Sequence, residues 1–416
     1  MSALAWTASA SLAAWLWLLL GQGFFWRTDV RLPPGREPAV WPSVRIVVPA
    51  RDEAAVLPSS LPSLLAQDYP GRAEIVLVDD SSSDGTGRLA RELAAGRGGL
   101  PLTVTTPGEP PAGWTGKLWA VRHGIGHARV GDEDCARDDT LHARVEDEGE
   151  TAAVGPEFLL LTDADIAHAP DSLRKLVTAA TGGAYDLVSL MARLRVASVW
   201  ERLVVPAFVY FFAQLYPFRR VHRPRARTAA AAGGCVLLRA SAATHADVPA
   251  AIRQAVIDDV ALARTVKRGG GRIWLGLADG VDSVRPYPRL GDLWRMVSRS
   301  AYAQLRHNPL LLLGTVGGLL LVYVAPPVGL AAGVLSGDTV AAVVSGAAWL
   351  LMVLTYLPML RYYRLSAGLA PLLPGTAVLY LLMTVDSAVQ HYRGRGAAWK
   401  GRTYPRPERA GAAPNP

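Results

Sequence analysis

Apolar stretches at both ends of the chain frame a long polar middle. Residues 3–25 carry no charge and are long enough for a helix to cross a bilayer. Three similar stretches follow near the C-terminus, at 309–335, 339–360 and 369–391. Between residues 27 and 308 no stretch qualifies, so the pattern predicts a polar domain of about 280 residues held at a membrane.

The first apolar stretch predicts an uncleaved anchor. A secretory signal peptide, the alternative, would normally begin with a basic region and contain a shorter apolar core, and neither feature is present. The expected parts of the chain are an anchor at 1–26, a polar domain at 44–308, a membrane region at 309–391 and a basic, flexible tail at 392–416.

Within the polar domain, short apolar runs alternate with helical patterns. The run "VRIVVPA" predicts a buried strand ending at Pro49, and the segment after it places Val56, Leu61 and Leu64 at helical spacing. The runs "EIVLV" and "EFLLLTDADI" predict further strands, each followed by a polar loop and a helix. This alternation predicts an α/β fold with a parallel sheet, in which ligands bind at the carboxyl ends of the strands.

Two segments of the polar domain depart from this plan. Residues 131–155 hold nine acidic residues against two arginines and show no periodicity, so we expect a solvated insertion loop. Residues 200–218, "WERLVVPAFVYFFAQLYPF", are aromatic and contain Pro206. They predict a helix at the membrane interface, near the place where a substrate from the membrane would enter the polar domain, or alternatively a helix buried in the core.

The chain is basic, with a formal net charge of +8. Its basic residues form no nucleic-acid recognition motif, so we expect no nucleic-acid partner and predict contact with an anionic lipid bilayer. By the positive-inside rule, arginines after the first and third apolar stretches predict a multi-pass protein of the cell membrane with its polar domain in the cytoplasm. These residues are Arg27, Arg31, Arg36, Arg361 and Arg364. Cys135 and Cys235 fit a reducing compartment and offer no zinc site.

The side on which the chain ends is ambiguous. Four spans would place the C-terminus outside, whereas Arg393, Arg395, Lys400 and Arg402 favour the cytoplasm. The last apolar stretch is therefore a candidate for a re-entrant or interfacial helix. The residues that distinguish it from an ordinary span are Pro371, Pro374, Asp386 and Gln390.

Acidic pairs stand where the predicted strands end. Asp163 and Asp165 follow the run "FLLLT", and a D-x-D at that position can hold Mg²⁺ or Mn²⁺ together with substrate phosphates. Asp79 and Asp80 end the second predicted strand, and Glu53 follows the first. Gathered at one rim, these carboxylates would repel each other unless a cation or hydrogen-bond donors such as sugar hydroxyls and a uracil N–H offset them. Helix capping is the alternative for each pair.

Further residues could carry catalytic roles. Asp258 and Asp259 begin a predicted helix, where one carboxylate could act as a general base or cap the helix. Gly233 and Gly234 precede a short strand and allow close approach of a substrate to the backbone, or tight packing. Lys117 and Arg299 are candidates for neutralising the charge of a diphosphate. The alternative for each of them is an ordinary surface charge.

The order of five motifs resembles the inverting family 2 glycosyltransferases of GT-A fold. These motifs are "VVPARDEA", "IVLVDDSSSDGT", "LLLTDADI", "GGCVLLR" and "IDDVALA". The C-terminal "RGRGAAWKGRTYP" resembles more narrowly the hopene-associated glycosyltransferases of HpnB type. The resemblance implies a Rossmann-like, mixed but mainly parallel sheet with transmembrane helices at both ends. The Q-x-x-R-W motif of processive members is absent, with "RMVSRSAY" in its place, which favours transfer of a single sugar.

The resemblance also implies roles for individual residues. Glu53 and Asp80 would contact the uridine, Asp163 the ribose or donor sugar, and Asp165 with Asp163 the metal. Asp259, beside Asp258, would be the base. The remaining residues expected at the nucleotide-sugar and acceptor sites are Pro49, Ala50, Asp79, Lys117, Arg299, Gly233 and Gly234.

The expected reaction moves one sugar from a nucleoside diphosphate sugar, expected to be a UDP-sugar, to a hydroxyl of a membrane lipid such as a hopanoid or another isoprenoid. A polyprenyl-phosphate sugar synthase has the same fold and donor but a different acceptor. Two more distant alternatives are a nucleotidyltransferase, whose fold also places Asp at strand ends, and a non-catalytic membrane scaffold.

Overall fold

The computed structural model describes residues 2–127 and 155–394, together with the backbone of residues 398–399 and 402–403. The predicted acidic insertion at 131–155 lies outside the described residues except for Gly155, and so does most of the predicted tail at 392–416.

The polar domain is built around one large sheet. Its strands are β1 Val44–Ala50, β2 Ala73–Asp79, β3 Leu102–Thr105, β4 Phe158–Thr162, β5 Ile166–His168, β6 Leu187–Arg193, β7 Cys235–Arg239 and β8 Ile273–Ser283. They lie in the order β3-β2-β1-β4-β7-β6-β8-β5. A separate short hairpin in the tail consists of β9 Ala398–Trp399 and β10 Arg402–Thr403.

The sheet is mixed but mainly parallel. β1 pairs in parallel with β2 and β4, as do β2 with β3 and β6 with β8. β7 runs antiparallel to both β4 and β6, and β5 runs antiparallel to the end of β8. The all-parallel sheet predicted from the alternation is therefore wrong at these three pairings, because an apolar run looks the same in either strand direction. The mixed sheet implied by the resemblance is confirmed.

Helices surround the sheet and continue into a bundle of apolar helices. Helix α1 Ala3–Leu20 precedes the polar domain, whose helices are α2 Leu57–Leu65, α3 Thr86–Ala95, α4 Gly116–Ile125, α5 Ser172–Gly182, α6 Val199–Leu215, α7 Phe218–Val221, α8 Ala240–His245, α9 Asp258–Arg268 and α10 Leu290–Gln304. The C-terminal helices are α11 Pro309–Leu319, α12 Ala325–Ser336, α13 Thr339–Tyr362 and α14 Leu373–Tyr392.

Each face of the sheet has its own hydrophobic core. On one face Ile46 and Val48 of β1 pack with Leu61 and Leu64 of α2, the residues placed at helical spacing by the sequence. On the other face the core extends without interruption from the sheet through α6 into the apolar helices. Because both faces are covered, the central strands are apolar at consecutive positions, and all seven residues of β1 are buried.

Helix α6 lies between the sheet and the apolar helices. The hydroxyls of Tyr210 in α6 and Thr355 in α13 are hydrogen-bonded at 2.9 Å, and the ring of Phe211 meets Tyr380 of α14 edge-on. Of the two interpretations of residues 200–218, the structure favours the buried helix for this central part, while Trp200 and Leu215 near its ends are exposed.

Four helical segments in the described chain are long and apolar enough to cross a membrane, namely Ala3–Leu20, Pro309–Ser336, Thr339–Tyr362 and Ala367–Tyr392. At the end remote from the sheet, the Ser2 hydroxyl bonds Asp338 between α12 and α13. Further along α1, Trp15 Nε1 donates to the carbonyl of Val322 at 2.7 Å. At the sheet end, Tyr362 of α13 donates its hydroxyl to the carbonyl of Ala278 in β8 at 2.8 Å.

The last helix, α14, is attached to the polar domain along its length. Its middle residue Tyr380 donates to the carbonyl of Val204 in α6 at 3.0 Å. Its far end bonds α10, where Trp294 Nε1 donates to Asp386 at 2.9 Å and the Tyr302 N–H donates to Ser387 at 3.0 Å. Asp386, one of the residues that distinguish this stretch from an ordinary span, therefore has a partner in the polar domain.

Candidate active site

The carboxyl ends of neighbouring strands bring the predicted residues to one rim. Because β4, β1 and β2 are adjacent and parallel, the segments after Thr162, Ala50 and Asp79 emerge at the same edge. Pro49 lines a cleft at this edge, together with residues from α4, β7 and α9. Together with the open solvent at its mouth, the cleft comprises about 450 Å³.

Lys117 connects the D-x-D segment to the start of α9. Its Nζ lies 2.9 Å from Asp163 Oδ1 and 3.1 Å from Asp258 Oδ2. Lys117 stands in the first turn of α4, which begins after the Thr115 side chain caps the helix. Burial lowers the pKa of Lys117, but the attraction of Asp163 and Asp258 outweighs it and raises this pKa well above its usual value. The ammonium group is therefore a permanent positive charge in the cleft.

Asp259 also lines the cleft, next to Asp258. Its Oδ2 accepts a hydrogen bond from the N–H of Gly233 at 2.9 Å, and its Oδ1 accepts one from the N–H of Val260 at 2.7 Å. Burial and the neighbouring charge of Asp258 raise the pKa of Asp259 to about 7. A carboxylate with a pKa near neutrality can take a proton in catalysis.

A second charged cluster surrounds Asp165. Arg285 Nε donates to Asp165 Oδ2 at 2.9 Å, and its Nη2 donates to both oxygens of Glu53, at 2.8 and 2.7 Å. The hydroxyl of Ser283 donates to the same Asp165 oxygen at 3.1 Å. Burial lowers the pKa of Arg285, but the charges of Asp165 and Glu53 outweigh this effect and raise the pKa above its usual value. The guanidinium thus joins two of the predicted site residues.

The D-x-D pair retains oxygens for a metal ion. Among residues 2–127 and 155–394, Asp163 Oδ2 and Asp165 Oδ1 accept no hydrogen bond. These residues contain no cluster of three or more metal-binding side chains. Mg²⁺ and Mn²⁺ suit such a site, since Mg²⁺ takes one or two carboxylates and completes its coordination with water and substrate phosphates. The two carboxylates therefore fit a divalent ion.

Comparison with known proteins decides which kind of enzyme has this site. The model of the family described as glycosyltransferase like family 2 matches residues 42–302, more than half of the chain. The chain is a family 2 glycosyltransferase. Membership favours sugar transfer from a nucleotide-sugar donor over the nucleotidyltransferase and scaffold alternatives.

Curated relatives match this glycosyltransferase over short segments. The probable glycosyltransferase YdaM of Bacillus subtilis is 32% identical over 98 residues, which are 23% of this chain and 22% of the relative. An N-acetylglucosaminyltransferase of Mesorhizobium japonicum is 42% identical over 53 residues, 12% of either chain. The chain thus matches less than a quarter of the length of either relative.

A solved structure matches nearly the whole glycosyltransferase. Mannosyltransferase PcManGT from Pyrobaculum calidifontis, in complex with GDP-Man and Mn²⁺, superimposes with a TM-score of 0.53 at 18% identity. The match covers 93% of this chain and 99% of that one. At this identity the likeness concerns the fold, and it identifies the mixed sheet with its helices as the GT-A fold.

The cleft of the glycosyltransferase unites six of the predicted residues, namely Pro49, Lys117, Asp163, Gly233, Asp258 and Asp259. Gly234 lies beside them, and its carbonyl accepts a hydrogen bond from the Thr162 hydroxyl at 2.8 Å. The same hydroxyl contacts Nε2 of the buried His168 at 3.0 Å. Burial lowers the pKa of His168 to about 4, so a neutral ring supports the strand end beneath the D-x-D segment.

Three predicted residues have mainly structural contacts. Asp79 Oδ1 accepts a hydrogen bond from the N–H of Ser82 at 3.0 Å, within its own turn. Ala50 is buried in β1, and its carbonyl accepts a hydrogen bond from the N–H of Asp80 at 2.8 Å. Asp80 is itself fully buried, with its carboxylate 3.4 Å from Arg51 Nη1. Their contacts with a nucleotide stay a prediction.

Arg299 differs from the other basic residue proposed for the diphosphate. It is exposed on α10, and no ion pair or hydrogen bond links its side chain to the rest of the described chain. Burial and the charge of Asp165 raise the pKa of Tyr287 to about 12. The positive charge of Arg299 acts in the opposite direction and lowers this pKa, so the two side chains are close to each other. Arg299 therefore lies near the segment that carries Arg285.

The sequence analysis missed Arg285 and the residues that position it. The Val284 N–H donates to the carbonyl of Asp165 at 2.9 Å, which brings the end of β8 against the D-x-D segment. Glu201 of α6 is buried, and its carboxylate accepts a hydrogen bond from the N–H of Tyr287 at 2.6 Å. The only signal in the sequence is an arginine two residues beyond a long strand, in "DSVRPYPR".

Proposed function

We propose that this glycosyltransferase is a membrane-bound, inverting enzyme that transfers one sugar from a nucleoside diphosphate sugar to a hydroxyl of a membrane lipid. The observation that carries the proposal is Lys117, whose ammonium lies between Asp163 of the D-x-D segment and Asp258 beside the raised-pKa carboxylate of Asp259. Groups suited to binding a diphosphate and to accepting a proton are thus adjacent in one cleft.

The donor site is proposed at the D-x-D segment. Asp163 and Asp165 would hold Mg²⁺ or Mn²⁺, and the bound ion would offset the negative charge of the diphosphate. Lys117 supplies a fixed positive charge on the cleft side of Asp163. Arg285 holds Asp165 and Glu53 in place, so the carboxylates are oriented before the donor arrives. The complex of PcManGT with GDP-Man and Mn²⁺ supports this assignment.

The acceptor is proposed to approach Asp259. The acceptor oxygen attacks the anomeric carbon from the face opposite the diphosphate, the bond to the diphosphate oxygen breaks, and an Asp259 oxygen takes the hydroxyl proton. Attack from the opposite face inverts the anomeric centre. The cleft wall beside Asp259 is apolar, with Val121, Val248 and Leu262, which suits a lipid such as a hopanoid or another isoprenoid.

A donor screen with product analysis tests this function. Purified protein is heated with UDP- and GDP-sugars, with Mg²⁺, Mn²⁺ or a chelator, and we expect a UDP-sugar to raise the melting temperature only with metal. Membranes incubated with that donor should then yield a lipid heavier by one sugar, as measured by mass spectrometry. A sugar linked through phosphate would instead identify a polyprenyl-phosphate sugar synthase. Stabilisation by GDP-sugars alone would contradict the uridine assignment.

The raised pKa of Asp259 predicts the pH dependence of transfer. The carboxylate must be unprotonated to accept a proton, so kcat/KM should fall about tenfold per pH unit below an apparent pKa of about 7. Initial rates measured from pH 5 to 9 check this. A profile that stays flat down to pH 5 would exclude a base with this environment.

We also propose that the polar domain faces the cytoplasm and that only three segments cross the membrane. Arg27 follows α1 and Arg361 lies in the last turn of α13, at the ends of these helices near the sheet, as expected for the cytoplasmic side. Helix α14 starts near that end of α13, and its other end bonds α10 of the polar domain. A helix with both ends beside the same domain lies along the membrane surface, which places Arg393 in the cytoplasm.

Tag accessibility tests this orientation. An epitope tag after Pro416 should be digested by protease in inside-out vesicles and protected in right-side-out vesicles, as the polar domain is. A tag inserted at Gly337, between α12 and α13, is the matched control and should show the opposite pattern. If the C-terminal tag shows the same protease sensitivity as the tag at Gly337, α14 crosses the bilayer.

A further inference from the structure

A second cavity lies away from the catalytic cleft, where α1 meets the polar domain. Together with the open solvent at its mouth it comprises about 460 Å³, and it is bordered by the end of α1 and by the segment after α6. The lining residues are Leu20, Gly21, Gly23, Phe24, Arg219, Arg220 and Arg223. None of them belongs to the proposed donor or acceptor site.

The cavity is strongly basic. The sequence "RRVHRPRAR" at 219–227 contains five arginines and no acidic residue. Asp29 is shared between Arg219, at 2.5 Å, and Arg27, at 3.1 Å, so it neutralises only one of the two charges. His222 adds no charge at neutral pH, since burial lowers its pKa. A net positive charge therefore remains at the cavity.

Part of this basic surface lacks an acceptor. The buried Nε of Arg219 has no hydrogen-bond partner within residues 2–127 and 155–394. Arg223 is exposed, and no ion pair or hydrogen bond involves its side chain in the same part of the chain. Arg220, in contrast, donates to the carbonyl of Gly21 at 2.5 Å and so fixes the cavity to the end of α1. An anion in the cavity would supply an acceptor for the side chain of Arg223.

The loop that carries the arginines is held at both ends. Lys267 Nζ donates to the carbonyl of Val221 at 2.8 Å and to that of Thr228 at 2.7 Å. The ring of His222 stacks on Trp274, and its Nε2 lies 2.7 Å from the carbonyl of Leu275. Because these contacts fix the loop, the arginines face the cavity with less loss of entropy on binding.

Apolar side chains border the basic surface. Leu20 and Phe24 line the cavity and are 66% and 43% exposed, and Trp17 of α1 is also exposed. Leu20 ends a segment able to cross a membrane, so the cavity lies where acyl chains give way to headgroups. A free phosphate would not use this apolar border, whereas a phospholipid would contact both parts.

We propose that the cavity formed by the end of α1 and Arg219, Arg220 and Arg223 binds the phosphate headgroup of an anionic membrane phospholipid. The lipid phosphate accepts hydrogen bonds from the guanidinium groups, and its acyl chains lie beside Leu20 and Phe24. The site is separate from the catalytic cleft, and its occupant is a resident lipid that is not consumed.

Binding of short-chain lipids to purified full-length protein tests the proposal. Dioctanoyl phosphatidylglycerol is titrated against wild type and against a variant with Arg219→Gln and Arg223→Gln, with affinity measured by thermophoresis. We expect the variant to bind about tenfold more weakly. The matched control replaces Arg72, directly before β2, and Arg97, after α3, with Gln; both are exposed, and this variant should bind like wild type. Nucleotide binding in each variant reports that the fold is intact.

Two comparisons separate the proposal from its rivals. Dioctanoyl phosphatidylcholine should bind wild type much more weakly than phosphatidylglycerol, because its headgroup has no net charge. Glycerol 3-phosphate at the same concentrations should have no comparable effect, and equal binding would mean that the cavity holds a soluble phosphate. Equal affinity of the two double variants for phosphatidylglycerol would overturn the proposal.

Discussion

Replacing Asp259 by asparagine should lower kcat by about 10³-fold, because the amide cannot take the acceptor proton. The asparagine oxygen can still accept the hydrogen bond from the Gly233 N–H, while the bond that Asp259 accepts from the Val260 N–H is lost, so we expect a change limited to the first turn of α9. Transfer rates at saturating donor, measured by nucleotide release and product mass spectrometry, check this effect.

Stability distinguishes loss of the base from loss of the fold. Burial raises the pKa of Asp259, so the folded protein disfavours its charged form, and stability falls as the pH rises from the unfolded value of 3.8 through about 7. The uncharged variant should therefore melt at an equal or higher temperature at pH 8. Asp171→Asn, at an exposed carboxylate paired with Lys175, is the control and should change kcat little. Activity of Asp259→Asn near that of the control would exclude Asp259 as the base.

Replacing Lys117 by methionine should lower kcat/KM by about 10²- to 10³-fold. The change leaves Asp163 and Asp258 without their shared partner in a largely buried site and removes a positive charge from the proposed diphosphate site. Because Lys117 acts to lower the pKa of Asp259, its loss should also move the acid limb of the pH profile to higher pH.

The pH profile identifies the role of Lys117. Lys175→Met removes the same charge from an exposed pair on α5 and should leave both the rate and the profile unchanged. Lys117→Arg keeps the charge and should recover part of the activity with an acid limb close to wild type. A Lys117→Met enzyme with a reduced rate and an unshifted profile would show that the lysine acts on the donor without influencing the base.

Much of the site could be predicted because parallel strand ends follow from local patterns. Asp163 and Pro49 stand directly after apolar runs, and adjacent parallel strands bring such positions to one edge. Lys117 could be found as a candidate, but its contacts with two carboxylates depend on where α4 lies relative to α9. Its position in the sequence gave no reason to expect that Lys117, rather than another lysine, contacts these two carboxylates.

Arg285 could not be predicted, because its place depends on long-range pairing. The end of β8 reaches Asp165 through an antiparallel pairing with β5, across more than a hundred residues of sequence. The directions of β5 and β7 were missed for the same reason, since burial patterns carry no information on strand direction. The sequence pattern also does not distinguish a carboxylate that contacts a ligand at the rim from one that completes its own turn, as Asp79 does with the N–H of Ser82.

Under the proposed membrane topology, the position of α6 couples catalysis to insertion into the bilayer. Glu201 near the start of α6 fixes the Tyr287 segment beside Arg285, while Tyr210 further along bonds Thr355 in α13. Excising the polar part as a water-soluble fragment would expose the tyrosine face of α6 and loosen the loop that orients the donor carboxylates. Lipid thickness and detergent choice should thus influence turnover through this one helix.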